Sequence, residues 1–87
     1  MQKLKIYTSS ICSYCIAAKE LLKELDISFK EINIDGEPSL REKMIKESNG
    51  KTTVPQIFLG NKLIGGCEDL FALHQNGDLM KFMKTYE

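Results

Sequence analysis

The 87-residue chain sets twelve Lys and Arg against twelve Asp and Glu, a formal net charge of zero, with 43% hydrophobic and 28% charged residues. That length supports one domain, expected over residues 1–87, and a balanced charge supplies no field to draw nucleic acid or an anionic membrane. Met1-Gln-Lys-Leu-Lys-Ile-Tyr enters a strand pattern without a secretory apolar stretch, and no apolar run reaches membrane-spanning length. Three cysteines, an odd number, argue against a disulfide-stapled extracellular framework. The expectation is a cytoplasmic protein with free thiols and neither nucleic acid nor membrane as partner.

Leu4, Ile6 and Tyr7 mark a first strand, and the small residues of Thr8–Ile11 lead into a helix from about Cys12 to Leu25. On that helix Cys15, Ala18, Leu22 and Leu25 recur at helical spacing, while Lys19, Glu20, Lys23 and Glu24 take the other side. Phe29, Ile32 and Ile34 make a second strand, and two strands joined through such a helix form a right-handed unit with parallel strands. Pro38 suits the first turn of a second helix, which turns Leu40, Met44 and Ile45 inward and stops at Asn49-Gly50.

Val54–Leu59 and Lys62–Ile64 flank Gly60-Asn61, a two-residue hairpin signal. A third helix follows Gly65-Gly66 and runs to about Asn76, ended by Gly77. Asp78 then caps a short last helix with Leu79, Phe82, Met83 and Tyr86 on one face. The order β-α-β-α-β-β-α-α implies an α/β sandwich built on a four-stranded mixed sheet flanked by helices.

Cys12-Ser13-Tyr14-Cys15 lies where the first strand hands over to the first helix. Unpaired N–H groups and the positive end of the helix dipole stabilise an anion at such a place, and a thiolate is the anion available. Cys12 is therefore expected to attack and Cys15, one turn deeper, to resolve. Half of a zinc site is the alternative, but structural zinc needs a second Cys or His pair at short spacing. Cys67 and the only histidine, His74, stand seven apart on one helix and do not supply it. His74 is taken as structural.

Three separated segments resemble the glutaredoxin family pattern: Ile6-Tyr7-Thr8 running into Cys12-Ser13-Tyr14-Cys15, then Thr52-Thr53-Val54-Pro55-Gln56-Ile57-Phe58, then Ile64-Gly65-Gly66-Cys67-Glu68-Asp69-Leu70. The resemblance implies a thioredoxin-like fold and a glutathione-dependent thiol–disulfide oxidoreductase with catalytic Cys12 and Cys15. Its partners would be glutathione and glutathionylated or disulfide-containing proteins. It implies a cis Val54–Pro55 bond, with Thr53, Val54 and Pro55 framing the cysteinyl part of glutathione by a short strand addition. Pro55 as a plain strand opener fits the sequence equally.

The same resemblance implies that Gly66, the Cys67 N–H and Asp69 hold the γ-glutamyl end, although first-turn acids also serve simply to complement a helix dipole. Tyr14 would pack along glutathione. Arg41 or Lys51 would meet the glycyl carboxylate, Arg41 preferred for its bidentate fork, and both are also readable as solvated surface charges. Two positions depart from the common family pattern: Ser9 stands where lysine is frequent, and Ser13 where proline is usual. Some relatives with a Cys-Ser-Tyr-Cys motif resemble a second class, dimers holding a [2Fe–2S] cluster through the nucleophilic cysteine, here Cys12, and glutathione. The reductase is the primary expectation, with a monomer unless a cluster is bound.

Overall fold

The computed structural model describes residues 4–85. Its elements follow the expected order: β1 (Leu4–Thr8), α1 (Ser13–Glu24), β2 (Phe29–Asn33), α2 (Pro38–Glu47), β3 (Gln56–Leu59), β4 (Lys62–Gly65), α3 (Cys67–Gln75) and α4 (Leu79–Thr85). The four strands form one sheet in the order β2-β1-β3-β4. β1 runs parallel to β2 and antiparallel to β3, which pairs antiparallel with β4. The mixed sheet thus has β1 and β3 at its centre, and both are buried along almost their whole length.

Strand alternation sends side chains to two cores. Leu4 and Ile6 of β1 and Ile57 of β3 meet Ala18, Leu21 and Leu22 of α1, Leu70 of α3 and Leu79 of α4. Tyr7 and Phe58 point the other way, against Met44 of α2 and Ile34, with their rings edge to face at 5.9 Å. Three helices therefore cover one face of the sheet and α2 the other. Lys5 spans the rim of the second core: its Nζ lies 4.9 Å from the Phe58 ring centroid and 3.0 Å from Glu47 Oε1.

Local chemistry sets the ends of the elements. Pro38 opens α2, and Asn49 at φ 60° with Gly50 closes it, the Gly50 N–H reaching Ile45 O at 2.8 Å. The strand expected over Val54–Leu59 begins two residues later, at Gln56. Val54–Pro55 is a cis bond, and Pro55 has no N–H to give a ladder, so the segment before Gln56 stands clear of the sheet. Ile34, assigned to the second strand, sits one residue beyond it but is buried under α2. On α4, Leu79 is buried and Met83 packs against the first core; Tyr86 lies outside the described residues.

Leu22 on α1 is fully buried between the helix and the sheet. Truncation to alanine should remove about 2–5 kcal/mol of unfolding free energy in urea titrations, and a loss below 1 kcal/mol would mean that α1 does not depend on this contact. Glu31 on β2 accepts from Thr8 Oγ1 at 2.7 Å and pairs with Lys19 Nζ of α1 at 3.0 Å, and these partners hold its carboxyl below the usual glutamate range. A group depressed in this way stabilises the fold above its unfolded pKa and loses that contribution as pH falls through the folded one. Glu31→Gln should therefore cost about 0.5–1 kcal/mol at neutral pH, given its partial exposure, and should flatten the acid limb of the stability curve below about pH 4.3.

Candidate functional site

At the C-terminal edge of β1 the chain turns through Ser9–Ile11 and enters α1 with Cys12 as N-cap, extended at φ −98° and ψ 110°. N-cap side chains ordinarily offer an oxygen to the first free N–H groups of the helix. Here the acceptor is sulfur: Cys12 Sγ receives the Cys15 N–H at 3.0 Å. On its other side the thiol reaches the Val54 carbonyl oxygen at 3.6 Å, across from the N-terminal end of β3. Cys12 is thus half-buried between a helix start and the segment before cis Pro55.

Cys15 is 1% exposed, one turn into α1 on the face that packs on the sheet. Burial above all, with the hydrogen bond to Cys12, pushes its thiol up to about 12. A hydrogen bond from the Ser9 backbone and the Lys19 ammonium pull in the opposite direction. The two thiols are free and unlike each other: Cys12 is half-buried at the helix start next to Val54, whereas Cys15 is buried behind it with its thiol pushed up. Such a pair suits thiol–disulfide exchange in two stages, with the outer sulfur reacting first.

The cleft beside Cys12 has a volume of about 490 Å³. Tyr14, Thr53, Val54, Pro55, Gly66, Cys67 and Asp69, all singled out from the sequence, line it together with Lys51, Gln56 and Glu68. Arg41 does not. It is exposed on α2, and the cation on the cleft wall is Lys51, in the segment that leads from α2 to Pro55. His74 is exposed in the last turn of α3, where a basic side chain complements the helix dipole, and not in a core.

Asp69, at the third position of α3, accepts the Gly66 N–H with Oδ2 at 2.9 Å. The acid therefore closes its own helix start whatever else it does. The turn that permits this needs glycine at 65: its φ is +123°, and a Cβ there would collide with the Asp69 carboxylate. Cys67 opens α3 with a partly buried thiol, raised by burial first and then by Cys12 and Glu68, so it is a poor nucleophile at neutral pH.

Gln56 escaped the sequence reading. Its side chain is 2% exposed, and Nε2 donates to Thr53 O at 3.0 Å, which fixes the loop that carries Val54. The available signal was a lone amide at the head of an otherwise apolar strand, where burial requires a partner.

Comparison with known proteins covers both sequence and fold. The glutaredoxin family model matches residues 4–64. Glutaredoxin 3 of Escherichia coli strain K12 is 50% identical over 84 residues, spanning 97% of this chain and all of the relative. The solution structure of glutaredoxin from Brucella melitensis, 41% identical, superposes with a TM-score of 0.85 over all of this chain and 94% of its own. A buckwheat glutaredoxin–glutathione complex, 27% identical, gives 0.86 over 98% of this chain and 79% of its own. The fold is accordingly thioredoxin-like. The family model reaches from β1 into β4, and the Escherichia coli relative matches over its whole length: this chain belongs to the glutaredoxin family.

Proposed function

We propose that the chain is a glutathione-dependent thiol–disulfide oxidoreductase that reduces glutathione mixed disulfides and protein disulfides, with Cys12 as nucleophile and Cys15 as resolving thiol. The asymmetry of the pair carries this reading: one sulfur half-buried and capped by an N–H at 3.0 Å, the other buried with its thiol pushed up to about 12. The membership of the family and the buckwheat glutaredoxin solved with glutathione support it.

In the first step the Cys12 thiolate attacks the glutathione sulfur of a mixed disulfide, and the substrate sulfur leaves and takes a proton. The Cys15 N–H hydrogen bond is of the kind that is strongest to an anionic sulfur. A second glutathione thiolate then attacks the glutathione sulfur of the adduct, which frees Cys12 and forms glutathione disulfide. With a protein disulfide, Cys15 attacks Cys12 instead and releases the substrate thiol.

Glutathione would lie with its cysteinyl backbone against Val54 and its glycyl carboxylate toward Lys51, with Tyr14 along its length. The γ-glutamyl carboxylate would meet N–H groups at the start of α3. Its ammonium would use the Asp69 oxygen not engaged by Gly66. Free thiols fit a reducing, cytoplasmic setting. Among the described residues no three His, Cys, Asp or Glu side chains converge on a metal-sized site. The alternative that the family resemblance implies, a dimer holding a [2Fe–2S] cluster, would use Cys12 of each of two chains and two glutathione thiols; the unlike pair of thiols favours the reductase.

Cys12→Ser should abolish deglutathionylation of a model peptide, whereas Cys15→Ser should keep it and lose reduction of protein disulfides. Retained activity in Cys12→Ser would overturn the assignment. Asp69 separates its two roles by substitution. Asp69→Asn keeps an oxygen for Gly66 but loses the charge, so the KM for glutathione should rise by a charge-assisted hydrogen bond's worth, about 1.5–3 kcal/mol, at unchanged melting temperature. Asp69→Ala should also lose about 1 kcal/mol of stability with the cap. Equal kinetics for Asp69→Asn and the native chain would leave Asp69 as a cap alone.

A further inference from the structure

β3 opens on a side chain that an apolar strand does not need. Gln56 is followed by Ile57, Phe58 and Leu59, all four residues are buried, and Gln56 pairs with Tyr7 in the ladder. Its amide is engaged at one end only. Nε2 donates to Thr53 O at 3.0 Å and lies 3.4 Å from Thr53 Oγ1. Oε1 is buried with no hydrogen-bond partner among the described residues. A carbonyl can only accept, so the contact to Thr53 fixes which end of the amide faces the loop. A buried acceptor left unpaired destabilises a fold, and methionine or leucine at this place would avoid it. The Nε2 donor is therefore kept at a cost in stability, and what it holds is the segment in front of the strand.

Thr53 O and the Val54 N–H belong to one trans peptide, a rigid plane in which the two groups point in opposite directions. Gln56 draws Thr53 O toward the buried start of β3, so the Val54 N–H is turned to the other side. Among the described residues that N–H has no acceptor. Residues 51–55 belong to no helix or strand, so no ladder holds this plane. Val54 stands in the wall of the cleft, and its carbonyl lies 3.6 Å from Cys12 Sγ. One side-chain amide thus sets the angle of an unused backbone donor beside the thiol.

We propose that Gln56 is a positioning residue for glutathione: by holding Thr53 O it aims the Val54 N–H at a backbone carbonyl of the tripeptide, and so favours disulfides that carry peptide groups over those that do not. The proposal rests on the glutathione reading given above. Gln56 acts through Val54, since its own side chain is buried. In the reaction it influences, the Cys12 thiolate attacks one sulfur of glutathione disulfide and the S–S bond breaks. One glutathione stays on Cys12 as a mixed disulfide, and the other leaves as a thiolate that takes up a proton.

The test compares two reagents on the full chain: glutathione disulfide, which has peptide groups, and bis(2-hydroxyethyl) disulfide, which has none. Rapid quenching with mass spectrometry gives the rate of adduct formation on Cys12 for each, divided by the rate of a free thiol with the same reagent. Gln56→Met keeps the length of the side chain and removes both the donor and the unpaired acceptor. It should slow reaction with glutathione disulfide about three- to tenfold, an ordinary hydrogen bond's worth, and leave the other rate nearly unchanged. Its melting temperature should equal or exceed that of the native chain. Gln56→Leu should behave alike. In amide NMR spectra, S-methylglutathione, which cannot exchange, should shift the Val54 amide of the native chain and shift it less in Gln56→Met.

A native chain that prefers glutathione disulfide and a Gln56→Met chain with the same preference would overturn the proposal. So would an equal fall of both rates with a lower melting temperature, since that marks a merely structural role. A native chain that shows neither the preference nor the shift of the Val54 amide would sink the glutathione reading itself, and the positioning role with it. That outcome is read on the native protein alone, whereas the role of Gln56 is read on the difference between native and variant.

Discussion

The Cys12 sulfur sits where a helix N-cap oxygen ordinarily does, and much of the molecule serves to keep it there. An N-cap must be extended while the next residue is already helical, so its position depends on where α1 begins and on what precedes it. The beginning is held from below by the buried face of α1, through Cys15, Ala18 and Leu22. The approach is held by β1, which has a neighbour on either side. With sulfur in place of oxygen, one hydrogen bond both caps the helix and addresses the sulfur proposed to react.

The two cores divide the remaining work. The core under α1, α3 and α4 joins the helix that carries the thiol pair to the helix that carries Asp69, so the two walls of the cleft share one packed interior. The core under α2 anchors Met44 against Tyr7 and Phe58 and fixes where the chain leaves α2 for Lys51 and Thr53. Interiors packed at crystal-like density deform little, which suits a site whose parts come from four separate stretches of chain.

What was legible in the sequence was local. The apolar period of 18–25, proline at 38, the Asn49-Gly50 stop and the Gly60-Asn61 turn each reflect a backbone preference within a few residues, and each produced the expected element. The thiol pair and the Thr53–Pro55 and Gly66–Asp69 segments were legible as motifs. What was not legible depends on contacts between distant residues. The register of β1 with β2 brings Asp35 to Ser9 across 26 positions, and neither residue stands out in its own neighbourhood. Which of Arg41 and Lys51 lines the cleft depends on the direction in which α2 delivers the chain, and the late start of β3 on a proline that also reads as a strand opener.

Gly65 and Asp69 bear on how this site tolerates change over generations. The acid occupies the space that a side chain at 65 would need, and the backbone at 65 has φ +123°, so two independent reasons exclude any other residue there. They differ in permanence. Exchange of Asp69 for a smaller residue would clear the space yet leave the backbone angle in force, and glycine would still be required. The reverse does not hold, because a glycine at 65 demands nothing of position 69. Drift at this corner can therefore proceed in one direction only: the acid is the part that can be lost, and the glycine is what would remain as the trace of a turn once built around it.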